Sequence, residues 1–372
     1  MIRSHTTKSS RGDVMEMKSL NSDTAVVSLT GEMNFLTEEK LLNLISDTAQ
    51  TNVKHLILDF SGVDHFNSDG AATLVKTCII ARSNKISLHS FGLSDRYQEI
   101  FQLTGLINDI LPIQSGQNST RFLSDNIYKQ LKEMNESRGA RDNKGWSTLK
   151  SKLIVSDNRP NAININVNNR TVLGPLQGFG SVLEKEYKLQ IPNSQLSAQE
   201  LMSKFRSSFI TLQPPQNVFY PSSKGIEAGE TVLIDSSTPG GVVSTGVHIL
   251  FSDDVSFSFI TPQGHPEAGW ITFSASEKDE KIEIKIRGLA SASDPFFELA
   301  FRLAGSKFQE RIWKTVLANM AKSINVDDNI ILTKKIIDKK LHWKAVRNLW
   351  FNAQLRSLPY NVPYYLKKLF NK

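Results

Sequence analysis

One hydroxyl in this chain stands where backbone electrostatics favour adding a phosphate. Residues 55–70 read HLILDFSGVDHFNSDG. The apolar run Leu56-Ile57-Leu58 has the composition of a central strand. Asp59, Ser61 and Gly62 supply turn chemistry, and Ser68-Asp69-Gly70 precedes the helix-forming run Ala71 to Val75. A helix start presents unpaired N–H groups and the positive end of the macrodipole, so an anion there is stabilised. Ser68 is therefore either a phosphate acceptor or a plain helix cap that needs no kinase.

A second set of polar residues lies in the carboxy-terminal half. His248 stands between apolar Val247 and Ile249 on an expected strand, so it faces away from them. An imidazole there could orient a ligand carbonyl or act as a general base; a hydrogen-bonded or surface histidine is the alternative. Trp270, Thr272, Arg287, Glu298 and Arg302 are the other candidate ligand contacts. His265 and Glu267 sit in a turn between strands, which hairpin geometry alone can explain. Seven histidines and one cysteine, with no HExxH or CxxC, argue against a zinc site. No GxSxG elbow, Walker loop or GxGxxG fingerprint is present, so no cofactor and no enzyme class is indicated.

The elements around Ser68 carry a resemblance. A Gly31-Glu32-Met33-Asn34 turn follows the strand-like Ala25 to Leu29. Next come Asp59 and Ser68-Asp69-Gly70, and then Phe91-Gly92-Leu93 with Arg96, Ile100-Phe101 and Leu103-Thr104-Gly105-Leu106. In this order, over residues 12–115, the chain resembles the STAS domain of bacterial anti-sigma-factor antagonists. The resemblance implies a mixed sheet with flanking helices and a signalling partner such as an anti-sigma-factor-like kinase. It also implies phosphorylation at Ser68 that switches binding off, with Asn34, Asn67, Asp69 and Gly70 at the partner surface. The family usually has an acidic residue where Asn67 stands and a small hydroxyl residue where Asp69 stands.

Residues 116–150 read as one helix, about Arg121 to Met134, and a polar linker. Beyond it, Val182 to Gln190 has strand character, and Ser197-Ala198-Gln199-Glu200 is a capping box opening a helix from Leu201 to Phe209. Val242–Phe251, Val255–Thr261, Trp270–Ala275 and Lys281–Arg287 read as strands. Asp294-Pro295 opens a long helix whose Phe297, Phe301, Ala304, Phe308, Ile312, Val316 and Met320 form one stripe. This is the element order of a helix-grip fold, an antiparallel sheet wrapped on a long carboxy-terminal helix with a cavity between them. Gly174 to Gly180, Pro239-Gly240-Gly241 with Ser244-Thr245-Gly246, and Thr261 to Trp270 resemble an uncharacterised bacterial branch of the SRPBCC (START-like) superfamily. The expected class is thus α/β followed by α+β, with the helix-grip domain at 151–325 and a basic aromatic helical tail at 326–372.

Charge is concentrated in that tail. Beyond Ile330 there are ten lysines and arginines against the single Asp338, while the whole chain carries +7, so the remainder is near neutral. Trp343, Val346 and Trp350 fall at helical spacing among these cations. The tail either packs on the domain, lies on an anionic membrane surface, or meets nucleic acid, for which no binding motif is present. With 40% hydrophobic and 22% charged residues, no long apolar run and a lone Cys78, the expectation is a cytoplasmic protein, peripheral to the membrane if the tail binds lipid. Three functions remain open. The first is a non-enzymatic regulator whose helix-grip domain binds a hydrophobic small molecule. The second is a lipid carrier at membrane surfaces, and the third is a cyclase- or hydrolase-like enzyme.

Overall fold

The computed structural model describes residues 15–113, 129, 131, 144–155, 164–192, 196–238, 241–278 and 281–360. The chain divides into two units, Met1–Lys144 and Gly145–Lys372. In the first, β1 (Met15–Ser19) runs antiparallel to β2 (Thr24–Met33). β3 (His55–Phe66), β4 (Ser87–Phe91) and β5 (Ile110–Pro112) continue the sheet in parallel, in the order β1-β2-β3-β4-β5. Helices α1 (Glu38–Thr48), α2 (Ser68–Ser83) and α3 (Asp95–Thr104) connect the strands. Leu56, Ile57 and Leu58 are fully buried, as a parallel sheet covered by helices requires.

The turn expected at Asp59, Ser61 and Gly62 is instead the middle of β3. The strand absorbs these residues through register shifts against β2, and the Ser61 N–H donates to Asp59 Oδ1 at 2.9 Å. Of the helix expected at 121–134, only Lys129 and Leu131 are among the described residues. Leu131 is buried against Val26, Ile57 and Phe91. Pro359 and Pro363 are expected to break the helical spacing of the tail and to leave a short final helix, Tyr364 to Phe370, which lies outside the described residues.

β3 and β4 bring two histidines together, with His55 Nδ1 and His89 Nε2 3.3 Å apart. Burial and the neighbouring His55 lower the pKa of His89 to about 4. A group whose folded pKa lies below its unfolded value near 6.5 stabilises the fold above pH 6.5 and loses that contribution as pH falls to 4. The first unit should therefore lose about 3 kcal/mol of stability across this window. In His89→Asn the pH dependence of the urea midpoint should flatten.

The second unit is a large antiparallel sheet. β6 (Val172–Leu173) pairs off its side. The main path contains β7 (Val182–Pro192), β8 (Asn217–Tyr220), β9 (Thr231–Thr238), β10 (Gly241–Ser252), β11 (Ser256–Pro262), β12 (Glu267–Lys278) and β13 (Lys281–Ala292). Helix α4 (Ala198–Ser208) opens on the expected capping box, with Ser197 Oγ accepting from Glu200 N. After β13, Asp294 accepts from Phe297 N, and Pro295 starts α5 (Pro295–Ala300). A π-helical turn, Phe301–Gly305, then interrupts the expected continuous helix before α6 (Ser306–Ser323). The helix packs in the concave side of the sheet, burying Ile312, Val316, Leu317 and Met320.

Residues 330–338, expected in a helical tail, form β14 (Ile330–Asp338), antiparallel to β7 at the sheet edge. Its alternation of Ile330, Leu332 and Lys334 with Ile331, Thr333 and Lys335 suits a strand, and the lysines keep an edge strand from pairing further. The helical part of the tail begins with the 3-10 segment Trp343–Phe351. It packs mainly through small and polar residues, with Trp343 touching Phe179 edge to face at 5.3 Å between ring centroids. Ala345, Asn348, Asn352, Ala353 and Ser357 face the domain, while Trp343 and Trp350 are 71% and 82% exposed. Among the described residues no helix is long and apolar enough to cross a membrane.

Candidate functional site

The first unit places Ser68 at the first position of α2, not at its cap. The cap is Asn67, whose Oδ1 accepts from Asp69 N at 3.1 Å and Gly70 N at 3.0 Å. An amide side chain reaches both orphan donors from one position further out, so the hydroxyl is not needed there. Ser68 is 1% exposed and Asp69 is also buried. Asn34 caps a 3-10 turn, Phe35–Thr37, by accepting from Leu36 N at 2.8 Å. That turn packs beside the start of α2. The Asn67 N–H donates to the Met33 carbonyl at 3.3 Å. A Cβ on Gly70 would approach that same carbonyl oxygen within 2.4 Å of its ideal position, so only glycine lets the two backbones meet. Glu38 then reaches Lys76 in a buried pair at 2.6 Å. Phe35 and Leu36 are left exposed at this corner.

The second unit encloses a cavity of about 390 Å³ between the sheet and the α5–α6 helix. Val243, Val247, Phe259, Phe301, Phe308 and Ile312 are among its apolar walls. Of the six residues expected to contact a ligand, Trp270 borders the cavity and Glu298 lines it. Arg302 pairs with Glu298 at 2.7 Å, but its side chain is 62% exposed at the surface.

His248, Thr272 and Arg287 are not cavity residues. Because Val247 and Ile249 face inward, His248 is carried to the opposite side of β10. There its Nδ1 lies 3.4 Å from Thr231 Oγ1, and Ser147 N–H bonds the adjacent Leu250 carbonyl. Burial, with Lys150 nearby, lowers its pKa to about 4, so it is a neutral, enclosed histidine. Arg287 alternates with inward Ile286 and joins an outer-face row of charges, its Nε donating to Glu184 at 2.7 Å. Lys188–Glu186 and Lys285–Glu283 continue that row, and Thr272 stands opposite Arg287 on β12.

The polar end of the cavity is made by other residues. Lys185 Nζ donates to Ser306 Oγ and Gln309 Oε1, both at 2.9 Å, and lies 3.3 Å from Glu310. Gln309 Nε2 donates to Glu267 Oε2 at 2.7 Å. Burial raises the Glu267 carboxyl above its ordinary pKa despite Lys185 and Gln309. His265 Nδ1 lies 3.0 Å from the Glu267 N–H and 3.1 Å from the Glu267 carbonyl oxygen, and burial lowers its pKa to about 4. The His265–Glu267 turn is therefore both a hairpin and a cavity wall. Tyr187, on the inner row of β7 with Lys185 and Leu189, also lines the cavity. Lys185 and Tyr187, flanked by Leu183 and Leu189 on the inward row, are the legible sign of this end.

Residues 16–120 match the family model of the STAS domain. The anti-sigma-B factor antagonist of Staphylococcus aureus is 26% identical over 90 residues, spanning 24% of this chain and 82% of that protein. Among solved structures, the anti-sigma factor antagonist SpoIIAA in its unphosphorylated form is 17% identical over 27% of this chain and 88% of its own, with a TM-score of 0.24. The di-domain aromatase/cyclase StfQ of the steffimycin pathway is 11% identical over 39% of this chain and 51% of its own, with a TM-score of 0.32.

Proposed function

We propose that this chain, whose amino-terminal unit carries a STAS domain, is a non-enzymatic regulatory protein that joins a partner-binding module to a sensor for an apolar small molecule. The observation that carries the sensor half is the cavity between the sheet and the α5–α6 helix, mostly apolar and with a hydrogen-bonded cluster of Lys185, Glu267 and Gln309 in its wall. Filled core would leave no room for a ligand. Native mass spectrometry of the purified protein should detect a co-purifying apolar compound. Val247→Phe, which adds volume at the wall, should lose it while changing the free energy of unfolding by no more than about 1 kcal/mol. A protein that carries no adduct and binds no apolar probe would end this reading.

The partner surface in this proposal is the corner built by Asn34, Asn67, Asp69 and Gly70, with Phe35 and Leu36 exposed beside it. A kinase of the anti-sigma-factor type is the partner class. Ser68 becomes accessible only when the Asn34–Thr37 turn lifts from α2, so a phosphate there would hold the corner open and switch binding off. Incubation with such a kinase should label Ser68 and abolish the complex; label elsewhere would remove Ser68 from the switch.

One observation favours a second reading, in which the helix-grip unit docks on membranes. Trp343 and Trp350 project from the packed tail beside Lys340, Lys344 and Arg347, and Leu299 and Leu303 are exposed on the neighbouring helix. Tryptophans ringed by cations suit an anionic interface. The protein should then sediment with phosphatidylglycerol-containing vesicles and not with pure phosphatidylcholine, and Trp343→Ala with Trp350→Ala should release it.

A further inference from the structure

Four buried polar groups on the cavity wall have no hydrogen-bond partner. The hydroxyls of Tyr187 and Thr245 and the indole N–H groups of Trp270 and Trp313 are enclosed without a partner, and all four residues line the cavity. Leaving such a group unpaired costs stability, so native folds retain one chiefly where something else satisfies it. An indole N–H can only donate. The phenol is held in its protonated, donating form as well, because burial and then the nearby Glu310 and Glu267 raise its pKa.

The charges at this end restrict the ligand further. Lys185 is the only lysine or arginine among the described lining residues, and its ammonium is already taken by Ser306, Gln309 and Glu310. Glu267 lies beside it. A ligand carboxylate would meet two glutamates and no uncommitted cation. A neutral oxygen would meet donors.

We infer that the cavity binds a neutral carbonyl compound, its apolar body against the Val247, Phe259 and Phe308 walls and its carbonyl oxygen accepting from Tyr187. The inference rests on the cavity reading proposed above. Three shape-matched probes separate the possibilities by calorimetric titration: acetylnaphthalene, ethylnaphthalene and naphthoate. Acetylnaphthalene should bind about tenfold more tightly than ethylnaphthalene, as one well-made hydrogen bond allows, and more tightly than naphthoate. In Tyr187→Phe that preference should vanish with ethylnaphthalene affinity unchanged, and the unliganded variant should melt no lower than the parent protein. Equal binding of the ketone and the hydrocarbon, or a preference that survives Tyr187→Phe, overturns the carbonyl anchor while leaving the cavity reading standing. Tightest binding of naphthoate overturns the ligand class. Binding of none of the three overturns both readings.

Discussion

Phe209→Ala should cost the second unit about 3–5 kcal/mol, the largest loss expected from a single truncation in this chain. Phe209 is fully buried at the end of α4. The rings of Phe205, Phe219, Phe257, Phe259 and Phe273 surround it at centroid distances of 5.2–6.1 Å, mostly edge to face. These neighbours come from a helix and from β8, β11 and β12, so no one element can move in to fill the space. The transfer loss and the cavity term therefore add. Phe219 and Phe259 also line the ligand cavity, so its wall should loosen as well. Guanidinium unfolding followed by tryptophan fluorescence reads the loss; a change below about 1 kcal/mol would mean that the aromatic cluster is not a packed core.

Ser68→Asp should destabilise the first unit by about 2–4 kcal/mol instead of imitating a harmless surface phosphate. Three effects compete. The α2 dipole favours a negative charge by at most about 2 kcal/mol. Against this, an unpaired charge in a buried site costs about 3–5 kcal/mol. The amides that would otherwise receive it are already bonded to Asn67, and Asp69 adds a like charge next door. Burial outweighs the dipole. Ser68→Ala should stay within about 1 kcal/mol of the parent protein, since it introduces no charge and leaves the Asn67 cap in place. Proteolysis should cut the Asn34–Thr37 turn faster in Ser68→Asp. If instead that variant is as stable as the parent, the hydroxyl is open to solvent and the proposed lifting of the turn is unnecessary.

These two sites differ in how far the sequence exposes them. The strands of the second unit were legible because their inward rows are apolar. Ile282, Ile284 and Ile286 alternate with Glu283, Lys285 and Arg287, and Asp294-Pro295 marks the start of the long helix through a cap and a preset φ. The same alternation that identifies β13 also sends Arg287 away from the cavity, and it does the same to His248 on β10. The strand row on which a polar residue sits, and not its chemistry alone, decides whether it reaches the cavity. Tyr187, Gln309 and Glu267 lie far apart in the chain, on β7, α6 and a hairpin.

Periodicity and capping by themselves marked the inner strands of the second unit, the opening of α4 and the start of the long helix, because propensity, capping and burial pattern act over a few neighbouring residues. The mixed sheet of the first unit was what the resemblance implied. Tertiary structure decided which residues share the cavity, that Asn67 displaces Ser68 from the cap, and that residues 330–338 join the sheet as β14. Those outcomes depend on backbone groups and side chains brought together from distant positions, and on which of two nearby partners reaches an amide first. Such contacts are fixed only when the chain closes on itself.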